Sequence, residues 1–335
     1  MSYSFSTFDK SKHMCYNNQQ SMRGDIMPIN ERGMNSDYIN YFNLEEYISR
    51  IKLLPDLLSH LESTNNDFDN YMKKLSQYDE EYIINYWIDL LYQELRWNQN
   101  IENTKFDIRT LANKSVFFDT LNIKHRRIHE LHNFVIKKEI EEGTLEETFD
   151  YRKIPVNVSS FDEEGNEEIY WRGVEPKDVQ QFMNDFIKIY KNGGTRLLFS
   201  NPFLASSLMH LIFLRIHPYR DGNGRTARVI HNIKFTEMVN KLYGTRLKLS
   251  PLNLSGSILV NKITYVKRID NIYFDVEHDT NVAINKWFDF ILDMADERIY
   301  MAMEKLDRVD LSKLKVPNEE QIVKPDMRLS KIRRI

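Results

Sequence analysis

The sequence contains little cysteine and no long apolar run, and these absences exclude several classes of protein. Cys15 is the only cysteine among 335 residues, so the chain has neither a disulfide framework nor a cysteine-rich metal site. No stretch approaches the roughly 20 uncharged apolar residues that a membrane-spanning helix needs. Residues 1–20 also lack the apolar core of a secretory signal. We therefore expect a soluble cytoplasmic protein, while a signal for a specialised secretion system would escape this argument.

An excess of charge of either sign is also missing. The 46 basic and 49 acidic residues give a formal net charge of −3. A general nucleic-acid or membrane-surface binder would instead carry a strongly basic surface. Basic charge is local, as between Arg328 and Arg334, and so short a basic tail is usually just solvated. The composition therefore favours neither nucleic acid nor a membrane as a partner.

Helical periodicity runs through most of the chain from Leu44 onwards, where apolar residues recur at spacings of three and four. The segment 201–216 is apolar almost all round, which indicates a central buried helix. A second helix follows at Arg225 and should stop at Gly244, and a long third one should begin near Val282. The pattern therefore predicts a mainly α protein.

Residues 153–174 break the helical pattern. Apolar and polar side chains alternate in their first arm, and the centre, "DEEGN", has the composition of a turn. Two arms around such a turn predict a β-hairpin. The apolar residues of the arms are Ile154, Val156 and Val158 on one side of the turn, and Ile169, Tyr170 and Trp171 on the other.

The window His217–Arg228, "HPYRDGNGRTAR", puts charge and glycine directly after the apolar segment. Gly222 and Gly224 would let the backbone approach a ligand closely. A helix that begins here would direct its free N–H groups at that ligand, which makes an anion site. Arg225 and Arg228 would lie near one side of the first turn, and their forked donors suit phosphate oxygens.

Two further residues of the window add chemistry to this anion site. Asp221 is a lone carboxylate beside the expected phosphate position, which is a usual way to hold Mg²⁺. His217 ends the apolar segment and can take a proton from an alcohol near neutral pH. Each residue alone is more often structural, but together they indicate attack by a hydroxyl on a nucleotide phosphate.

The stretch "HPYRDGNGR" resembles the signature of the Fic domain, His-Pro-Phe-x-Asp/Glu-Gly-Asn-Gly/Lys-Arg, and "TAR" supplies the further arginine usual three positions on. Tyr219 departs from the typical Phe. The resemblance covers roughly residues 80–305 and implies a Fic-type helical bundle with a small β-hairpin flap. It divides the chain into a polar, loosely ordered arm (1–40), a helical extension (41–80), the Fic domain (81–305) and a C-terminal tail (306–335).

Fic enzymes mostly transfer AMP from ATP to a Ser, Thr or Tyr hydroxyl of a target protein, and pyrophosphate leaves. The resemblance implies that His217 is the base and that Asp221 binds Mg²⁺, or Mn²⁺, on the phosphates of the substrate ATP. Tyr265 and Asn271 lie where the family often contacts the base of the nucleotide, although packing in the core explains these two positions at least as well. The other nucleotide-binding residues would be Gly222, Asn223, Gly224, Arg225 and Arg228. The flap would align the target segment by strand-like pairing, through Val156, Val158, Ile169 and Tyr170.

The stretch "WNQNIENTKF" resembles the inhibitory motif that many Fic proteins carry, Ser/Thr-x-x-x-Glu-Gly/Asn. The resemblance implies an inhibitory helix at about residues 95–105, in which Glu102 pairs with Arg228 and occupies the γ-phosphate space. Asn98 stands where Ser or Thr is usual, and we expect this departure to weaken the anchoring of the helix. A Glu near a helix end is also common without any regulatory role, so that alternative stays open.

Other reactions of the same window stay open as well. The kinase-type relative called Doc has Lys at the position of Gly224, and phosphocholine transferases often depart at the Gly-Asn positions. This sequence therefore favours AMP transfer. Removal of AMP by the same site, with Glu102 positioning water, is a further option. A non-enzymatic DNA-binding or antitoxin-type regulator would need a degenerate motif or a clear helix-turn-helix.

Three histidines near residue 130 fall at helical spacing, which can mimic a metal-binding face. They lie beside "KHRR" without a cysteine or a carboxylate trio, so we interpret them as a solvated face. They are His125, His129 and His132. The residues name no target protein, and they leave a homo-oligomer open.

Overall fold

Helices make up most of the computed structural model of the chain. The structure describes residues 44–78, 80–102, 104, 123–161, 167–192, 197–278 and 281–308. The prediction of a mainly α protein is confirmed for this part of the chain. The helices are α1 Leu44–Arg50, α2 Pro55–Leu75, α3 Glu80–Ile101, α4 His125–Val135, α5 Lys137–Glu141, α6 Val179–Asn192, α7 Leu197–Ser200, α8 Pro202–Ile216, α9 Asn223–Tyr243, α10 Ser255–Val260, α11 Lys262–His278 and α12 Val282–Arg308. The expected arm at residues 1–40 lies outside the described residues, and so does most of the expected tail.

Helix α8 lies at the centre of the fold, and every one of its residues is buried. Asn201 caps its N-terminus, where the side-chain oxygen accepts from the N–H groups of Phe203 at 2.9 Å and Leu204 at 3.2 Å. Pro202 occupies the first turn, where its missing N–H costs nothing. Helices α6, α9 and α12 all pack against α8. The prediction of a central buried helix is confirmed.

The N-terminal helices join the same core. A short irregular segment separates α1 from α2, and Pro55 starts α2 because a proline is favourable in the first turn. Helix α2 packs along α12, the long helix that the sequence placed near Val282. Phe68 of α2 meets the rings of Phe203 and Phe235 edge-on, with centroids 5.5 and 5.4 Å apart. Helix α2 is thereby joined to α8 and α9.

Two short strands interrupt the helical fold between α5 and α6. Strand β1, Asn157–Phe161, pairs antiparallel with β2, Glu167–Arg172, with Val158 opposite Trp171. An irregularity after Val158 shifts the register by one residue, so that Ser159 faces Ile169. The turn between the strands, 162–166, lies outside the described residues. The target-docking role of this segment therefore remains a prediction.

Helix α3 carries the segment that resembles an inhibitory motif. The helix ends at Ile101, and Glu102 follows in a turn whose N–H donates to the Gln99 carbonyl at 3.1 Å. Helices α9 and α10 both contact α3. Asn98 in the last turn of α3 donates to the Arg225 carbonyl in the first turn of α9, so these two ends lie close together. None of the described helices is long and apolar enough to cross a membrane.

Candidate active site

The loop between α8 and α9 contains the window that the sequence singled out. His217 caps the C-terminus of α8 with a left-handed backbone, at φ 52° and ψ 60°. Gly222 is also left-handed, at φ 75° and ψ 3°, and turns the chain into α9. The Asn223 side chain closes the loop, because its Oδ1 accepts from the Tyr219 N–H at 2.9 Å and its Nδ2 donates to the Tyr219 carbonyl at 2.8 Å. Asn223, expected among the nucleotide-binding residues, thus shapes the loop in this structure.

The His217 imidazole is held in one neutral form. Its Nδ1 lies 3.3 Å from the Leu214 carbonyl, which can only accept, so Nδ1 carries the hydrogen and Nε2 carries the lone pair. Burial and the nearby Arg152 cation lower the pKa of His217 to about 4, although Asp221 and Glu102 oppose this shift. The ring is therefore neutral at physiological pH and has a nitrogen that can take a proton.

The Asp221 carboxylate lies at the exposed side of the same loop, with 61% of its side chain accessible. Its Oδ1 accepts from the Gly222 N–H and lies 3.6 Å from Nη2 of Arg225. Mg²⁺ keeps several waters and needs few protein ligands, so one accessible carboxylate beside a phosphate site suits it. No group of three or more His, Cys, Asp or Glu side chains that could hold a metal ion occurs among the described residues.

Helix α4 presses against the loop, and this contact corrects one sequence interpretation. His132 is only 2% exposed, and its Nε2–H donates to the Asp221 carbonyl at 2.9 Å. Its ring stacks on Tyr219 at 3.7 Å between centroids. A Cβ on Gly222 would lie 2.5 Å from Ile136 Cγ2, so only glycine fits there. The solvated-face interpretation is wrong for His132, because helical spacing cannot tell a face that contacts solvent from one that contacts a loop.

Glu102 and Arg228, which are 126 residues apart in sequence, meet beside the start of α9. Nη2 of Arg228 donates to Oε1 of Glu102 at 2.7 Å, and the two side chains are 2% and 19% exposed. A Cβ on Gly224 would lie 2.5 Å from that same Glu102 oxygen. The carboxylate therefore fills the space directly over Gly224, at the first turn of α9.

Asn98 anchors α3 to α9, which corrects the expected weakening. Its Oδ1 accepts from Nε of Arg228 at 2.6 Å, and its backbone carbonyl accepts from Nη2 at 3.2 Å. Its Nδ2 donates to the Arg225 carbonyl at 3.1 Å. The expectation was wrong because a buried amide offers both a donor and an acceptor, and here the two ends hold residues one helical turn apart.

Arg225 is buried and bonds mainly to groups of the surrounding helices. It is 1% exposed and forms an ion pair with Glu139 of α5. Its Nη1 also donates to Gln99 Oε1 at 3.1 Å and to the Val135 carbonyl at 3.3 Å. Sequence reasoning missed Glu139, and no local signal marks it, because α5 reaches Arg225 only through the packing of the helices.

The two residues expected near the base of the nucleotide occupy different environments. Tyr265 is buried, and its hydroxyl lies 2.8 Å from Nε2 of His210. Burial raises the pKa of Tyr265 to about 12, and the charges of Arg228 and Glu102 act on it too, so it lies near that ion pair. Asn271 is exposed, farther along α11. The structure thus brings Tyr265, but not Asn271, beside the described site.

The hairpin side of the site is described only in part. Val156 is half-buried, and its carbonyl accepts from the Gly173 N–H at 3.1 Å. The side chains of the other docking candidates, Val158, Ile169 and Tyr170, lie outside what the structure describes. Arg152, which precedes the hairpin and which sequence reasoning missed, donates from Nε to the His217 carbonyl at 2.6 Å.

Comparison with known proteins finds a family match in the central part of the chain. Residues 122–233, which include the whole loop between α8 and α9, match the model of the Fic/DOC family. The resemblance that the sequence window suggested is confirmed for this region.

Solved structures of Fic proteins are similar to this chain. A Fic family protein from Desulfovibrio desulfuricans G20 is 15% identical, with 77% of each chain covered and a TM-score of 0.54. Fic-1 (residues 134–508) from C. elegans is 14% identical, with 75% of this chain and 73% of that chain covered and a TM-score of 0.46. The likeness to the Desulfovibrio protein shows the same fold.

Proposed function

We propose that this protein, whose residues 122–233 match the Fic/DOC family, transfers AMP from ATP to a Ser, Thr or Tyr hydroxyl of a target protein. One observation carries the proposal. The loop between α8 and α9 combines the neutral imidazole of His217, the accessible carboxylate of Asp221 and the N-terminus of a helix. Attack by a hydroxyl on a nucleotide phosphate requires these three groups: a base, a carboxylate for the metal ion and a site for the anion.

The proposed reaction uses these groups as follows. Nε2 of His217 accepts the proton of the target hydroxyl, and the hydroxyl oxygen forms a bond to the α-phosphorus of ATP. The bond from that phosphorus to the oxygen bridging it to the β-phosphate breaks, and pyrophosphate leaves. The first N–H groups of α9, from Asn223 onwards, lack partners within the helix and stabilise the charge that builds on the α-phosphate.

Asp221 would hold the Mg²⁺ or Mn²⁺ ion that accompanies ATP, because its carboxylate is accessible and only partly committed to Arg225. When bound, the ion would neutralise charge on the phosphates. Arg228 would bind the γ-phosphate once Glu102 leaves it. Arg225 can grip the β- and γ-phosphates only if it gives up Glu139, so we propose a smaller direct role for it.

We further propose that Glu102 inhibits the enzyme. Its carboxylate pairs with Arg228 and fills the space over Gly224, where the phosphates would otherwise lie. A carboxylate in this position competes for the arginine and repels the phosphates of ATP. ATP would then bind without the geometry that places its α-phosphorus opposite His217.

Removal of AMP by the same site is the second candidate. Glu102 lies in the space near the His217 imidazole, close enough for its charge to oppose the lowering of the pKa of that ring. A carboxylate in that space can position a water against an AMP–protein bond. The two activities would share His217 and differ in whether Glu102 is needed.

An isotope experiment tests the main proposal. The chain is incubated with Mg²⁺ and ATP labelled on either the α- or the γ-phosphate, both as wild type and as Glu102→Gly. Only the α-label should reach protein, and His217→Ala should abolish this transfer. Transfer of the γ-label would instead identify a kinase. Release of AMP from a premodified protein, dependent on Glu102, would identify the second candidate.

A further inference from the structure

Arg152 is a buried cation whose hydrogen bonds go to backbone carbonyls. It is 6% exposed, and its Nε donates to the His217 carbonyl at 2.6 Å. Its Nη1 donates to the Ile154 carbonyl at 2.9 Å, and its Nη2 donates to the Val174 carbonyl and, at 3.4 Å, to that of Ile216. One guanidinium therefore joins carbonyls from three segments of the chain.

Two of these carbonyls belong to the end of α8. The last carbonyls of a helix have no partner within the helix, and a cation there also complements the helix dipole. His217 has a left-handed backbone, which is unfavourable for a residue other than glycine. The backbone N–H of Arg152 donates to the Pro218 carbonyl at 2.9 Å. Arg152 therefore holds the chain on both sides of the His217 Cα.

The other two carbonyls mark the base of the hairpin. Ile154 lies just before β1 and Val174 just after β2, so the guanidinium closes the hairpin at its open end. A Cβ on Gly173 would lie 2.6 Å from Nη2 of Arg152 and 3.1 Å from the His217 Cβ. Glycine at this position is what lets the base of the hairpin come so close to the histidine.

We infer that Arg152 is a positioning residue that ties the base of the hairpin to the backbone of His217. A protein segment held by the hairpin then meets the imidazole in a fixed register. This inference rests on the proposed function, in which His217 is the base and the hairpin aligns the target.

Arg152 acts through both its shape and its charge, and the two can be separated. Lysine keeps the charge but cannot make the several fixed bonds of the guanidinium fork. Glutamine loses the charge, which helps to lower the pKa of His217. The other groups facing His217 are the carboxylates of Asp221 and Glu102 and the Leu214 carbonyl, and Glu175 faces Arg152.

Arg152→Lys and Arg152→Gln are compared in the full chain carrying Glu102→Gly, with Arg126→Lys as the matched control. Arg126 is 91% exposed on α4, and its substitution should change nothing. Both Arg152 variants should lower kcat for AMP transfer roughly 10- to 100-fold, the scale of a misplaced reacting group, while the Kd for ATP stays within about 2-fold of its value. The acid limb of the pH–rate profile should move to higher pH in Arg152→Gln only.

Hydrogen–deuterium exchange of the same proteins tests, independently of activity, whether Arg152 ties the base of the hairpin to the loop at His217. In Arg152→Lys, amides at the hairpin base and in the loop after His217 should exchange faster together, while those of α8 stay protected. Unchanged exchange at both places overturns the inference, and so does faster exchange with an unchanged kcat. Absence of α-label transfer in Glu102→Gly itself would refute the proposed function, and exchange would still decide whether the tie exists.

Discussion

The ion pair of Glu102 and Arg228 gives the sharpest quantitative prediction, because the proposed inhibition depends on this one carboxylate. The arginine is 2% exposed and donates to Glu102 at 2.7 Å. A charge-assisted hydrogen bond of this kind contributes about 1.5–3 kcal/mol. Since about 1.4 kcal/mol corresponds to a factor of ten, Glu102→Gly should raise AMP transfer about 10- to 150-fold.

Glu102→Gln separates the charge of this residue from its bulk. Glutamine can still accept from Arg228, and it still fills the space within 2.5 Å of a Cβ on Gly224. The amide is uncharged, so its bond to the Arg228 cation lacks the attraction between two full charges, and only part of the inhibition should remain. Glu102→Gln should therefore be faster than wild type and slower than Glu102→Gly.

The arginine variants check that the pair works through Arg228. Arg228→Ala should not activate, because it loses the phosphate contact together with the anchor of Glu102. The double variant Glu102→Gly with Arg228→Ala should behave like Arg228→Ala alone. Asn98→Ala removes the amide that holds Arg228 and the Arg225 carbonyl, so it should activate partially by loosening α3.

The assay is the initial rate of α-label incorporation into protein, with saturating Mg²⁺ and ATP. Glu147→Gly is the matched control, because Glu147 is an exposed glutamate outside the helices. A Glu102→Gly variant that is no faster than wild type, with unchanged melting temperature and ATP binding, would refute inhibition by Glu102. Equal activation by Glu147→Gly would also refute it, since the effect would then not depend on the pair.

Three further predictions concern the catalytic loop and the core. His217→Ala should lower transfer by at least about 10²-fold without loss of ATP binding, and near-normal activity at saturating ATP would rule out the base. Asp221→Ala should abolish the Mg²⁺ dependence of transfer, and an unchanged Mg²⁺ titration curve would show that Asp221 is not the ligand. Burial lowers the pKa of His231 from 6.5 to about 3. The neutral ring therefore stabilises the fold fully above pH 6.5. As the pH falls from 6.5 towards 3, the free energy of unfolding should decrease by up to about 5 kcal/mol. As the pH is lowered over this range, the free energy of unfolding of His231→Gln should decrease less than that of wild type. Parallel curves of unfolding free energy against pH would contradict this.

Local chemistry determined much of this protein in advance. Helix α8 is apolar almost all round, and such a segment is stable only when it is buried. Gly244 ends α9 with a left-handed backbone at φ 64°, as a glycine at a helix end predicts. The window from His217 to Arg228 also indicated the Fic/DOC family that residues 122–233 match, because the residues of its motif lie close together in the sequence.

Only the tertiary structure decided which partners those groups have. Asn98 proved to be a stronger anchor than its departure from the motif suggested, because its amide meets Arg228 and the Arg225 carbonyl across two packed helices. Arg152 reaches His217 over 65 residues of chain. Such contacts depend on how helices and hairpin pack, and a pattern of spacings along one segment carries no information about which distant segment will face it.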